Sequence, residues 1–239
     1  SYPTRLLRYL IPCRWLLDIH SHITQPLLIA EIGTGSGQMK SLTDFIATNT
    51  LFFNYKRSAV PLYSRWDAFD IAPNTLQLSL KNYHSINHFD ANLDIKLDFS
   101  NYNIFLLLHI LEHLQDPPLF CQNLTRATQK PSYFIIGVPS LPDFLAGLRQ
   151  KQLRRKYLSG GHWCKFSPAR LRHLASTSGW SILQLTGAFL TRLSGNPLED
   201  SRFWFKFNLI LANLLPTWPG EVYLLAYYNP NSEKNSSSY

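Results

Sequence analysis

The sequence predicts an α/β protein, a mostly parallel sheet with helices on both faces. Three observations predict it. Short apolar runs alternate with segments of helical periodicity. Two of the runs, Ile104–Leu108 and Ile135–Val138, are continuously apolar, as strands buried on both faces are. The glycine cluster Gly33, Gly35, Gly37 stands where the first run hands over to a helix.

Leu27 to Ile32 reads as the first strand, after which Met39, Leu42, Phe45 and Ile46 recur at helical spacing. Trp66 to Ile71 reads as the second, and Pro73 opens a helix carrying Leu76, Leu78 and Leu80. Ile104–Leu108 and Ile135–Val138 are further strands, with Pro117 to Ala127 helical between them. Strands alternating with helices need crossover connections, and these impose parallel pairing. Ser167-Pro168 caps and opens a helix through Leu171 and Leu174 that stops at Gly179. Trp180–Leu185 and Val222–Tyr228 read as the last two strands, a C-terminal antiparallel hairpin around the apolar segment between them. Thr48–Ser64 and Pro139–Gly161 are long connections, which in compact domains are functional or loosely ordered.

The 239 residues, 45% hydrophobic and 16% charged with 15 Phe, 12 Tyr and 6 Trp, exclude disorder for the bulk of the chain. At about 100 to 200 residues per domain, one large domain is expected. It is placed at residues 1–228, with 1–26 a helical lead-in, 139–161 and 189–219 cap-like insertions, and 229–239 a disordered tail rich in Asn and Ser. The net charge of +8 favours an anionic partner. Cys13, Cys121 and Cys164 are odd in number and far apart, which argues against a disulfide framework or zinc ribbon and fits a reducing, cytoplasmic compartment. Arg5, Arg8, Arg14 and Asp18 interrupt the N-terminal segment, so it does not read as a signal peptide. Phe203–Pro219 carries Lys206, Asn208 and Asn213 and falls short of the roughly 18 uninterrupted apolar residues of a membrane span.

Glu31-Ile32-Gly33-Thr34-Gly35-Ser36-Gly37 sits at a strand-to-helix turn, where backbone N–H groups and the helix dipole receive a ligand's polar end. The dinucleotide pattern needs Gly at position 38, but Gln38 is there, and no Gly-Lys-Ser/Thr follows to make a P-loop. The bland alternatives are a tight turn for the glycines and a helix cap for the acid of the second strand.

Glu31, the three alternate glycines and the parallel rhythm resemble the class I S-adenosylmethionine-dependent methyltransferases, in particular the Leu-Glu-His subgroup of methyltransferase 11- and 23-type domains. The resemblance implies a Rossmann-like, seven-stranded sheet. It also implies that the glycine loop wraps the methionine part of the cofactor and that an acid ending strand 2 binds the ribose diol. Asp70 fits better than Asp67, because it ends the apolar run and leads through Ile71-Ala72 to Pro73. It lies further from the glycines than the roughly 20 residues usual in dinucleotide folds, an effect of the insertion at Thr48–Ser64. Phe89-Asp90-Ala91 looks like the step after strand 3 that holds the adenine amino group. Tyr102-Asn103 through His109-Ile110-Leu111-Glu112-His113-Leu114 resembles the strand 4 segment, with Asn103 replacing the usual Asp. Gly161-His162 and Phe166-Ser167-Pro168 resemble the block after strand 5. Together these blocks span Leu27 to about Leu185. The cofactor contacts implied are Glu31, Gly33, Gly35, Gly37, Asp70, Ile71, Asp90, Ala91 and His109.

His109-x-x-Glu112-His113 also spells an inverted zinc-protease motif. The strand-like run before it and Pro117-Pro118 after it leave too little helix for that site. Metal-dependent relatives carry Glu-x-x-Glu-His here, and His109 stands at the first Glu; Glu112, His113 and His162 could still hold a metal. The preferred reading has no metal, with His109 lining the cofactor pocket while Glu112 and His113 cap the next turn.

The expected function is transfer of a methyl group from S-adenosylmethionine to a nucleophilic atom, oxygen favoured, of a small or lipid-linked anionic acceptor, with His113 and His162 near that acceptor. The basic residues Arg149, Lys151, Arg154, Arg155 and Lys156 and the apolar Phe203–Trp218 suggest an acceptor rim and peripheral membrane contact. A nucleic-acid methyltransferase ranks behind, since only Tyr157 lies near the basic cluster. A non-catalytic S-adenosylmethionine-binding protein is the other alternative.

Overall fold

The computed structural model describes residues 3–23, 25–49, 60–72, 82–93, 98–153, 163–189, 201–215 and 220–231. The Pro73 helix, the Arg154–Lys156 run and His162 lie outside them. The strands are β1 (Leu27–Ile32), β2 (Tyr63–Asp70), β3 (Ser85–His88), β4 (Ile104–Leu108), β5 (Ser132–Pro139), β6 (Ser181–Phe189) and β7 (Glu221–Tyr228). The helices are α1 (Pro3–Ile23), α2 (Gln38–Thr48), α3 (Pro117–Ala127), α4 (Asp143–Leu153), α5 (Pro168–Thr177) and α6 (Arg202–Leu214).

The seven strands form one sheet in the order β3-β2-β1-β4-β5-β7-β6. β1 pairs in parallel with β2 and β4, as do β2 with β3 and β4 with β5. β7 alone runs backwards, inserted between β5 and β6 and antiparallel to both. The expected C-terminal antiparallel pair is therefore present, with α6 in the apolar segment between its strands.

Alternation along the strands sorts the core into two layers. Ala30, Ile32, Phe105, Leu107, Phe134 and Ile136 face α3 and α5, where Phe134 stacks on Trp180 at 4.1 Å between centroids. Leu27, Ile29, Ile104, Leu106 and Ile135 face the other way, toward Trp15 and Leu16 of α1 and Met39 and Ile46 of α2. Asn103 extends the β1–β4 ladder: its Oδ1 accepts from Leu28 N–H at 2.9 Å and its own N–H donates to the Leu28 carbonyl. The cap of α3 is Asp116, which accepts from Leu119 N–H at 3.0 Å. Glu112 and His113 are not that cap.

The chain runs outward from β1 to β3 and then returns to place β4 on β1's other side. The connections leave in opposite directions there, and the carboxyl ends of β1 and β4 frame a crevice, the usual ligand position in open α/β sheets.

Candidate functional site

The glycine loop leaves β1 at this crevice. Gly33 N–H donates to the Phe69 carbonyl at 2.8 Å and Gly37 N–H to that of Thr34 at 3.1 Å, which ties the loop to β2 and closes its turn. Gly33 and Gly35 have φ of +76° and +57°, the left-handed region that glycine adopts without steric cost. Their surroundings differ. A Cβ on Gly33 would lie 3.0 Å from Ile110 Cβ, whereas one on Gly35 would meet nothing within 4 Å. Gly33 is packed against the β4 connection, and Gly35 faces open space.

Asp70 ends β2 beside that space. Its Oδ2 accepts from Gly35 N–H at 3.0 Å and its Oδ1 from Ala72 N–H at 3.1 Å. The other acid of this strand, Asp67, is fully buried and engaged by Arg65 and by Tyr102 OH at 2.5 Å, a structural role. Ile71, next to Asp70, is exposed. After β3, Asp90 Oδ1 accepts from Asn92 N–H at 2.9 Å in a local turn, and Ala91 packs on the core below. A cleft of about 180 Å³ has Ala91 in its wall, together with Phe89, Phe99, Gln115 and the α3 side chains Leu119 and Phe120.

Glu31 lies elsewhere. Strand alternation sends it to the α1 and α2 side with Leu27 and Ile29, and its Oε2 accepts from Trp66 Nε1 and Tyr83 OH, both at 2.9 Å. It is buried. Burial pushes its carboxyl up to about 7, against the opposing pull of Tyr83 and Trp66.

His109 follows β4 with φ +57°, a conformation uncommon outside glycine. Its N–H donates to the Gly137 carbonyl at 2.8 Å, which fixes the turn. Its ring lies between two carboxylates, Nδ1 3.5 Å from Glu112 Oε1 and Nε2 3.4 Å from Glu221 Oε2. Burial opposes the charged ring, but Glu112 and Glu221 outweigh it and raise the pKa. Glu221 opens β7 and is itself bound by Arg8 of α1 and by Tyr223 OH at 2.9 Å. Burial raises Glu221, but His109 and Arg8 overcome this and hold it down at about 2. No motif marks Arg8, Glu221 or Tyr223. The one local signal is a lone charge at the edge of an apolar run.

His113 is exposed on the single 3₁₀ turn Leu111–His113, while Glu112 is buried beside His109. The histidines and Glu112 are thus not on one helix face, which removes the basis of the zinc-protease reading. Among the described residues no group of three or more His, Cys, Asp or Glu is arranged to hold a metal ion.

No protein-family model matches the chain, and no curated protein does. Solved structures do. An S-adenosylmethionine-dependent methyltransferase from Archaeoglobus fulgidus matches over 91% of this chain and 93% of its own, with 14% identity and a TM-score of 0.53. The Synechocystis magnesium protoporphyrin IX methyltransferase with bound S-adenosylhomocysteine matches over 93% and 83%, with 13% identity and a TM-score of 0.54. The Burkholderia thailandensis 1,6-didemethyltoxoflavin-N1-methyltransferase, solved with bound 1,6-didemethyltoxoflavin and S-adenosylhomocysteine, matches over 92% and 78%, with 12% identity and a TM-score of 0.52. The chain has the class I methyltransferase fold. Within that fold the structure brings Gly33, Gly35, Gly37, Asp70 and His109 to the carboxyl ends of β1, β2 and β4, with Asp90 and Ala91 following β3.

Proposed function

We propose that this protein transfers a methyl group from S-adenosylmethionine to a nucleophilic atom, oxygen favoured, of a small or lipid-linked anionic acceptor, as a member of the Leu-Glu-His subgroup. The observation that carries the reading is the Asp70 carboxylate beside Gly35 N–H, facing the open space over that glycine at the sheet's crevice. Two acceptor oxygens there suit a vicinal diol, and a glycine with no neighbour within 4 Å leaves room for a ligand against the main chain. The residues present therefore fit S-adenosylmethionine, which supplies a methyl on a cationic sulfonium for in-line displacement.

The chain's own part is mostly binding and orientation. Asp70 holds the ribose hydroxyls, the loop from Gly33 to Gly37 offers backbone N–H groups, and Ile71 and Ala91 supply apolar contact for the base, with Asp90 accepting from its amino group. Holding two reactants at attack distance is worth roughly 7 to 11 kcal/mol of barrier. His113 is assigned the acceptor side, where an exposed imidazole can take the proton an alcohol loses. His162 is assigned with it and lies outside the described residues. His109 is not assigned as the base, because Glu112 and Glu221 lie against both of its ring nitrogens.

Isothermal titration tests the reading. S-adenosylmethionine and S-adenosylhomocysteine should bind and nicotinamide dinucleotides should not. Asp70→Ala should weaken binding about 10- to 150-fold, the value of hydrogen bonds to a charged group. Gly35→Val should abolish it, since a branched side chain at φ +57° would fill the ligand's space. Unchanged affinity in both variants would overturn the assignment, and binding without turnover on any acceptor would leave a non-catalytic binding protein.

A further inference from the structure

α6 carries an apolar row on its outward side. Phe203, Phe207, Ile210 and Leu214 are between 40% and 73% exposed, and their i, i+4, i+7, i+11 spacing aligns them along one side of the helix. An ordinary surface helix shows polar residues there. Its N-terminal half is an aromatic cluster: Phe203 stacks on Phe207 at 6.1 Å and Trp204 on Phe207 at 5.5 Å between centroids. The opposite side holds the helix to the protein, through Phe205 and Leu209 packed on the core shared with α1. Apolar residues on both sides therefore do two jobs, of which the protein's own core accounts for one.

The charges indicate what meets the outer side. Arg202 and Lys206 are exposed and one turn apart beside the row, and the helix contains no Asp or Glu. The chain's net charge of +8 has the same sign. A convex row of bulky apolar side chains flanked by cations fits a surface that is anionic above and apolar below, as an anionic bilayer is. No helix among the described residues is long and apolar enough to cross a membrane, so the contact would lie in the interface. α6 joins β6 to β7 at Glu221, on the same carboxyl edge as the glycine loop, and α4 leaves β5 at that edge with Phe144 and Leu148 exposed.

We propose that α6 is an interfacial helix seating this protein on anionic membranes, with Phe203, Phe207, Ile210 and Leu214 in the acyl boundary and Arg202 and Lys206 at the head groups. Docking stands on α6 alone. Only its purpose, presenting the carboxyl edge to a lipid-linked acceptor, rests on the methyl-transfer reading.

Vesicle flotation tests it. The full chain should float with mixed phosphatidylcholine–phosphatidylglycerol vesicles, less so as salt rises, and weakly with phosphatidylcholine alone. Phe203→Ser, Ile210→Ser and Leu214→Ser combined should lower affinity for the mixed vesicles about tenfold or more without changing the melting curve, since all three side chains are exposed. Arg202→Glu with Lys206→Glu should cost about 30-fold or more on mixed vesicles and little on neutral ones. The proposal fails if the parent does not float or if the triple variant floats as the parent does. It fails equally if sedimentation shows a parent dimer that the triple variant dissolves, with no flotation by either. Titration of S-adenosylmethionine on the same samples keeps the two readings apart: flotation without cofactor binding removes the enzyme reading and leaves the docking.

Discussion

Glu31→Gln should remove a pH-dependent penalty from the stability of this fold. Glu31 is 3% exposed, and its Oε2 receives both Trp66 Nε1 and Tyr83 OH. Burial raises its carboxyl from 4.5 to about 7, while the two donors and the nearby Lys40 ammonium offset part of that cost. The folded chain therefore keeps a proton that the unfolded chain has released. Stability from this group is full below about 4.5, falls as pH rises, and is lost once pH passes about 7. At about 1.4 kcal/mol per pH unit, the difference amounts to about 3 kcal/mol. Gln keeps an oxygen to accept both donors and never ionises. Urea denaturation at pH 4.5 and pH 8 should thus show variant and parent nearly equal in acid and the variant more stable by about 3 kcal/mol in base. A difference of the same size at both pH values would refute the reasoning, because it would mean that the carboxyl does not change charge in the folded protein over this range.

Two further outcomes follow from the β5–β7 seam. Gly137→Ala should destabilise by about 3 kcal/mol in thermal or urea melts, because its Cβ would lie 2.4 Å from the Tyr223 ring and 3.2 Å from Leu108, both fixed between strands. Arg8→Ala should cost about 3 kcal/mol at pH 7 by leaving Glu221 buried without its guanidinium. That loss should shrink as pH falls from 4.5 toward about 2, since the depressed Glu221 contributes stability above its unfolded value and loses it on protonation. An equal loss at pH 3 and pH 7 would show that the ion pair is not its source.

Where local chemistry decided the structure, the sequence was easy to read. Leu27–Ile32, Ile104–Leu108 and Pro117–Ala127 coincide with β1, β4 and α3, since an unbroken apolar run and Asp116-Pro117-Pro118 are signals complete within a few residues. Elements defined by their partners were not so legible. β2 begins at Tyr63 instead of Trp66 because Tyr63 and Arg65 pair with Leu27 and Leu28, and β6 runs on to Phe189 because β7 continues to Glu221. α4 lies inside what reads as a loop, and α6 inside what reads as an apolar segment, its period blurred by apolar residues on two sides.

At the site the division is the same. The glycines and Asp70 were legible because a turn with positive φ and an acid at a strand end are local features. Glu31 is expected among the cofactor contacts from its place before Gly33; strand alternation, a property of the whole sheet, sets its side chain with Leu27 and Ile29, where Trp66 and Tyr83 hold the carboxylate. The Arg8–Glu221–His109–Glu112 cluster depends on strand order alone: inserting β7 beside β5 sets Glu221 opposite Pro139, next to the turn that Gly137 fixes at His109. Within that cluster Glu112 and Glu221 face the His109 ring from either side and raise its pKa, and Arg8 holds Glu221. Glu112 and Glu221 thus set two carboxylates against Arg8 and the His109 ring, so the end of β4 is not a purely cationic surface.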